Sequence, residues 1–187
     1  MPQYCDDGAR EVFHGEGRLR PIVFLDFDDV ICLNRHYGAY DVFAPDPPDE
    51  LWQQLFHPPA IAVLQALTDE FDPHFVLTTS WLLRMDRGRC DDILKRSGLN
   101  VVADALHPHW QAPPSVGRTR LEAVELWLAA HHCGEPFAVI DDELSGVGLG
   151  GSRFDAEGRV VLCRAGEGLH RGYLSRLQRA LGTPPRK

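Results

Sequence analysis

Two acidic clusters stand more than a hundred residues apart in this chain, Asp26-Phe27-Asp28-Asp29 and Asp141-Asp142-Glu143. Each follows directly on a short apolar run, Pro21-Ile22-Val23-Phe24-Leu25 and Phe137-Ala138-Val139-Ile140, of the kind buried on both faces of a parallel sheet. A third such run, Phe75-Val76-Leu77, ends on the hydroxyls of Thr78, Thr79 and Ser80. In open α/β sheets, ligands bind beyond the carboxyl ends of the strands. If these runs are neighbouring strands, both acidic clusters and the hydroxyls converge on one place. Crowded carboxylates repel one another unless a cation neutralises them, and an all-oxygen donor set favours Mg²⁺. One Asp-x-Asp after a strand is commonly only a solvated turn. Two clusters, each at the end of an apolar strand, are far less easily explained that way.

A site for an anion also needs a cation, and the sequence offers one. Thr119-Arg120-Leu121-Glu122 fits a capping box, with Thr119 as N-cap and Glu122 at N3. Arg120 then occupies the first helical position, where free backbone N–H groups and the helix dipole also favour an anion. Arg118 is its close rival. The plainer alternative is an exposed Arg at a helix end, which contributes little to folding.

The elements that must position these groups alternate in type. A short helix is expected through Leu51-Trp52 and Leu55-Phe56, capped by Asp46 with Pro47 at its first position. Ile61, Leu64, Leu67 and Phe71 recur at helical spacing. Asp91 to Ser97 reads as a helix stopped by Gly98. Val101-Val102 is expected to be the third strand. Leu121, Val124 and Leu128 mark a long helix, Val160-Val161-Leu162 a fifth strand, and Leu174, Leu177 and Leu181 a last helix. Such alternation argues for an α/β sheet with helices on both faces. Residues 1–20 are expected to form a loose extension, residues 21–182 a single catalytic domain, and residues 183–187 a tail.

Composition narrows the functional classes. The chain has 187 residues, 44% hydrophobic and 25% charged, which excludes wholesale disorder. Its net charge of -8 argues against an extensive nucleic-acid-binding surface, which needs a basic face. A local basic stretch does occur at Arg84, Arg87, Arg89, Lys95 and Arg96, interleaved with Asp86, Asp91 and Asp92. No apolar run approaches the ~18–20 residues of a membrane span, and the first residues lack the pattern of a signal peptide. A soluble, cytoplasmic protein is therefore expected. Five widely spaced cysteines form no Cys-x-x-Cys and are expected to be reduced. Gly146 to Gly151 and His107-Pro108-His109 read as loops rather than as phosphate or metal sites.

Leu25-Asp26-Phe27-Asp28-Asp29-Val30 resembles the Asp-x-Asp signature of the haloacid dehalogenase-like (HAD) phosphohydrolases. Phe75 to Trp81 is similar to their second motif, Arg120 to the third-motif cation and Val139-Ile140-Asp141-Asp142 to the fourth motif. Thr79-Ser80-Trp81, Trp127-Leu128 and Gly168-Leu169 resemble the small capless members associated with nucleic-acid repair. The resemblance implies a Rossmann-like three-layer α/β/α sandwich with a mainly parallel sheet and no large cap domain. It implies a Mg²⁺-dependent phosphomonoesterase with Asp26 as nucleophile and Asp28 as acid and base. Thr79 and Arg120 would then bind the phosphoryl oxygens. Asp26, Asp141, Asp142 and the backbone carbonyl of Asp28 would hold the metal. Ser80, Arg118, Arg35 and His36 would contact substrate, either a phosphorylated small molecule or a nucleic-acid end. The family more often has Gly where Asp29 stands, and Lys where Arg120 stands. The alternatives are a non-catalytic phosphoacceptor or an interaction module on the same fold.

Overall fold

The computed structural model describes residues 19–112 and 119–183. Five parallel strands form one sheet in the order β3-β2-β1-β4-β5. They are β1 (Ile22–Leu25), β2 (His74–Leu77), β3 (Leu106–Gln111), β4 (Phe137–Asp142) and β5 (Val160–Cys163). β1 lies at the centre, buried along its whole length, which is why it reads as an unbroken apolar run. Its alternate residues feed two cores. Val23 and Leu25 pack under α2 (Leu51–Gln54), α3 (Pro58–Phe71), α4 (Arg87–Arg96), α5 (Asn100–Asp104) and α8 (Leu174–Gly182). Ile22 and Phe24 pack under α6 (Arg120–His131) and α7 (Arg153–Ala156). The short α1 (Ala39–Val42) follows the β1 loop. The result is the expected three-layer α/β/α sandwich, without a cap domain among the described residues.

Three expectations are corrected. Val101-Val102 lies in α5, not in a strand. Leu99, Val102 and Ala103 are buried at helical spacing, and that burial outweighs the β preference of two valines. The third strand is instead Leu106–Gln111, which contains the segment expected to be a loop, His107-Pro108-His109. It is an edge strand paired only with β2 and irregular in register, the setting in which a proline without an N–H is tolerated. Asp46 caps no helix: α2 begins after Glu50, with no side-chain cap. The helical region is disfavoured for a residue preceding proline, so Pro47-Pro48 delays the start.

The cysteine expectation holds for Cys32, Cys90 and Cys163, which are free and buried. It fails at Cys133, which is disulfide-bonded. Pairing depends on spatial approach, which sequence spacing does not reveal. No helix among the described residues is long and apolar enough to cross a membrane.

Candidate active site

Parallel pairing sets the site. Leu25 lies opposite both Leu77 of β2 and Ile140 of β4, so Asp26, Thr78 and Asp141 occupy the next level of three adjacent strands. The Asp26 N–H donates to the Ile140 carbonyl at 3.0 Å, and the Thr78 N–H to the Leu25 carbonyl at 3.0 Å. β1 and β4 also flank the point where strand order reverses, the usual crevice for ligands in such sheets.

Asp26, Asp141 and Asp142 are all buried, with carboxylate oxygens within 4.8 Å of one another. Burial pushes the Asp26 carboxyl well above the usual range, and the neighbouring Asp141 adds to the effect while Arg120 opposes it. Burial raises Asp141 as well, again against Arg120. Arg120 Nη2 lies 3.2 Å from Asp26 Oδ1, and its Nε lies 2.6 Å from Asp141 Oδ2. Its side chain is 15% exposed, so the plain reading of a solvent-exposed helix-end arginine is wrong. The Nε–Oδ2 approach is an ion contact off the hydrogen-bond direction, leaving both atoms buried without a directed partner. Three clustered carboxylates, one with an orphaned oxygen, make a donor set that suits a hard divalent cation such as Mg²⁺.

The turn after β4 contributes a residue that the sequence reading missed. Ser145 Oγ contacts Asp26 Oδ2 at 3.2 Å and Asp141 Oδ1 at 2.9 Å, and it lies closer still to Asp142 Oδ2. One hydroxyl proton satisfies only one of these carboxylates at a time. Asp142 Oδ1 accepts the N–H groups of Leu144 and Ser145, an Asx-type turn that delivers the hydroxyl. That signature, Asp followed within three residues by Ser, was the available signal. Gly146 completes the turn. A Cβ there would stand 2.6 Å from the Asp142 carbonyl oxygen, so only glycine fits without a shift. The Val147 carbonyl accepts from the Leu121 N–H at 3.3 Å, so the Gly-rich loop braces the helix that carries Arg120. The capping box at Thr119 and Glu122 forms as expected.

Asp28 is not among the carboxylates that gather. Its Oδ2 accepts the indole N–H of Trp81 at 2.9 Å, and its Oδ1 accepts the Asn34 amide at 3.2 Å. Trp81 is itself held edge-on by Phe27 and Phe43. Asp29 has φ 54°, a left-handed conformation that glycine adopts freely and Asp tolerates, which accounts physically for glycine being common there. Its carboxyl, raised mainly by burial, takes a hydrogen bond from the Gly166 backbone. Arg35 donates to the Gly166 carbonyl at 2.8 Å, so Asp29 and Arg35 meet the same rim loop.

Thr79 is fully buried, and its hydroxyl oxygen caps the short 3₁₀ turn Ser80–Leu83 by accepting from the Trp81 N–H at 3.3 Å. Its own O–H remains to donate. Thr78 Oγ1 is buried without a partner. Ser80 and His36 are exposed. Arg118 lies outside the described residues.

An open parallel α/β sheet with buried aspartates at its central strand ends and an arginine against them defines a HAD-like phosphohydrolase class of fold and site. The profile of the family described as "HAD domain in Swiss Army Knife RNA repair proteins" matches residues 22–173, and the chain belongs to that family. No curated protein and no solved structure matches the chain.

Proposed function

We propose that this protein is a Mg²⁺-dependent phosphomonoesterase that removes terminal phosphate from nucleotides or nucleic-acid ends through an aspartyl-phosphate on Asp26. The observation that carries this reading is the burial of Asp26 beside Asp141, Asp142 and Arg120 at the switch point of the sheet. A family tied to RNA repair supports the substrate class.

Asp26 attacks phosphorus, and the bond from phosphorus to the leaving oxygen breaks. Asp28 gives its proton to that oxygen. Asp28 then takes a proton from water as the water attacks phosphorus, releasing inorganic phosphate and restoring Asp26. Arg120 and the hydroxyl of Thr79 hold the non-bridging oxygens as charge develops. Asp26, Asp141, Asp142 and the Asp28 carbonyl would hold Mg²⁺, which neutralises phosphoryl charge when bound. Arg35, His36 and Ser80, together with Arg118 from the sequence pattern, are the candidate substrate contacts.

The test is phosphate release from an aryl phosphate and from 3′- and 5′-phosphorylated oligonucleotides, with Mg²⁺ or with EDTA. Hydrolysis should require Mg²⁺ and fall by several orders of magnitude in Asp26→Asn. Undiminished turnover by Asp26→Asn overturns the reading. Stoichiometric, persistent phosphorylation without turnover would favour the non-catalytic phosphoacceptor.

A further inference from the structure

One side of the site carries an aromatic and cationic surface that the phosphate chemistry does not use. Tyr40, in α1, is 89% exposed, and Phe43 follows three residues later, on the same side of that turn. The Arg84 guanidinium lies over the Phe43 ring, 4.6 Å from its centroid. Leu83 beside it is 66% exposed. This surface connects to the acid–base residue through one buried side chain: Phe43 packs against Trp81 with centroids 5.8 Å apart, and Trp81 donates to Asp28 at 2.9 Å.

The surface continues along the carboxyl edge of the sheet. Arg87, at the start of α4, lies over the Trp110 ring at 5.7 Å. Gln111, the neighbour of Trp110, pairs with Leu77 at the end of β2, which places this second cation–ring pair on the same edge as the site. Among the described residues neither Arg84 nor Arg87 has a carboxylate partner, whereas Arg89, Lys95 and Arg96 further along α4 are all paired with aspartates. Two arginines without a carboxylate partner among the described residues, each placed over a ring, stand out in a chain of net charge -8.

Single-stranded nucleic acid is bound by this combination, with aromatic and guanidinium planes stacking on bases and cations contacting the backbone. We infer that Tyr40, the Phe43–Arg84 pair and Arg87 bind the unpaired nucleotides adjoining the terminal phosphate of a single-stranded nucleic-acid substrate. The inference rests on the phosphatase reading and names the substrate for which the site is built. The phosphate would enter at Asp26, while the first bases lie on the ring surface beside Asp28. A small phosphomonoester would not reach that surface.

The test compares Tyr40→Ala and Arg84→Ala with the unaltered protein on two substrates, p-nitrophenyl phosphate and a short phosphorylated single-stranded oligoribonucleotide. Binding of a fluorescein-labelled oligoribonucleotide to the Asp26→Asn protein is followed in parallel by anisotropy. Each substitution should weaken oligonucleotide binding and raise the oligonucleotide KM by about 5- to 150-fold, the range for loss of one stacked base. Hydrolysis of p-nitrophenyl phosphate should keep its kcat/KM. Arg84→Ala should also reduce the slope of log affinity against log salt by about 0.7, the loss of one contact to a single-stranded backbone. The inference is overturned if both variants bind the oligonucleotide as the parent does, or if they lose both substrates equally. It is also overturned if a phosphotyrosine peptide binds as tightly as the oligonucleotide and is lost in parallel. Failure of the phosphatase reading is separate: p-nitrophenyl phosphate would then be untouched by the unaltered protein, whatever the anisotropy.

Discussion

Arg120→Ala tests the electrostatics of the centre independently of turnover. The guanidinium lies 3.2 Å from Asp26 and 2.6 Å from Asp141, and the two carboxylates are almost wholly buried. Removing one partner of a buried ion pair costs about 3–5 kcal/mol, because the remaining charge stays desolvated. Asp26, already raised by burial and by Asp141, can take up a proton and relieve part of that cost, so the lower end of the range is expected. Alanine at the first helical position keeps helix propensity, and the Thr119 cap does not use Arg120, so loss of the helix is not the cause. At 2–4 °C per kcal/mol for a domain of this size, the midpoint in EDTA at pH 7 should fall by roughly 6–12 °C. The defect should grow with pH. A carboxyl whose folded pKa is raised stabilises the fold at low pH and loses that contribution as pH rises through the folded value, and without Arg120 both Asp26 and Asp141 move further up. Mg²⁺ bound at the three carboxylates would supply the missing positive charge, and at about a hundred times its Kd should return ~2.7 kcal/mol. Differential scanning calorimetry in EDTA and in Mg²⁺ at pH 5 and 8 reads all of this. A midpoint within about 2 °C of wild type in EDTA at pH 8 would refute the argument.

Removing the Asp28 side chain should separate proton transfer from metal binding. Asp28→Ala should keep Mg²⁺ affinity by calorimetry while losing ~10²–10⁴-fold in turnover, whereas Asp142→Ala should lose the metal itself. Trp81→Phe keeps a ring against Phe27 and Phe43 but removes the donor to Asp28. A hydrogen bond to a charged group is worth about 1.5–3 kcal/mol, so kcat should fall roughly 10- to 100-fold with Mg²⁺ binding unchanged. His107, lowered to about 4 by burial and then by His74, His109 and His131, remains neutral in the fold below the pH at which it protonates unfolded. Its contribution is therefore complete above pH 6.5 and lost between 6.5 and 4. Solvent screening of the half-buried ring leaves roughly 1–2 kcal/mol. Urea unfolding of His107→Phe should show a correspondingly smaller loss over that window than wild type.

The strands that bear the site were legible because each is short, apolar and buried on both faces, so their residue types needed no partner to be identified. The same holds for the Thr119–Glu122 capping box, a local device in which every bond lies within one turn. β3 was not legible. Its His-Pro-His-Trp-Gln stretch carries no strand pattern, since an edge strand of irregular register takes its conformation from pairing with β2 rather than from alternating apolar residues. Val101-Val102 misled for the converse reason: two β-branched residues are a local preference, and packing of Leu99, Val102 and Ala103 overrode it.

Sequence alone therefore determined the identity of the charged groups and the strand ends on which they stand, because both are written in contiguous residues. Only the tertiary structure decided that Arg120 is buried between Asp26 and Asp141, that Ser145 turns back onto three carboxylates, and that Trp81 and Asn34 hold Asp28. Three of those contacts, Asp26–Arg120, Asp26–Ser145 and Asp28–Trp81, join residues brought together by the order of the strands. Parallel pairing across β2, β1 and β4 creates such distances, and no spacing within a single segment encodes them.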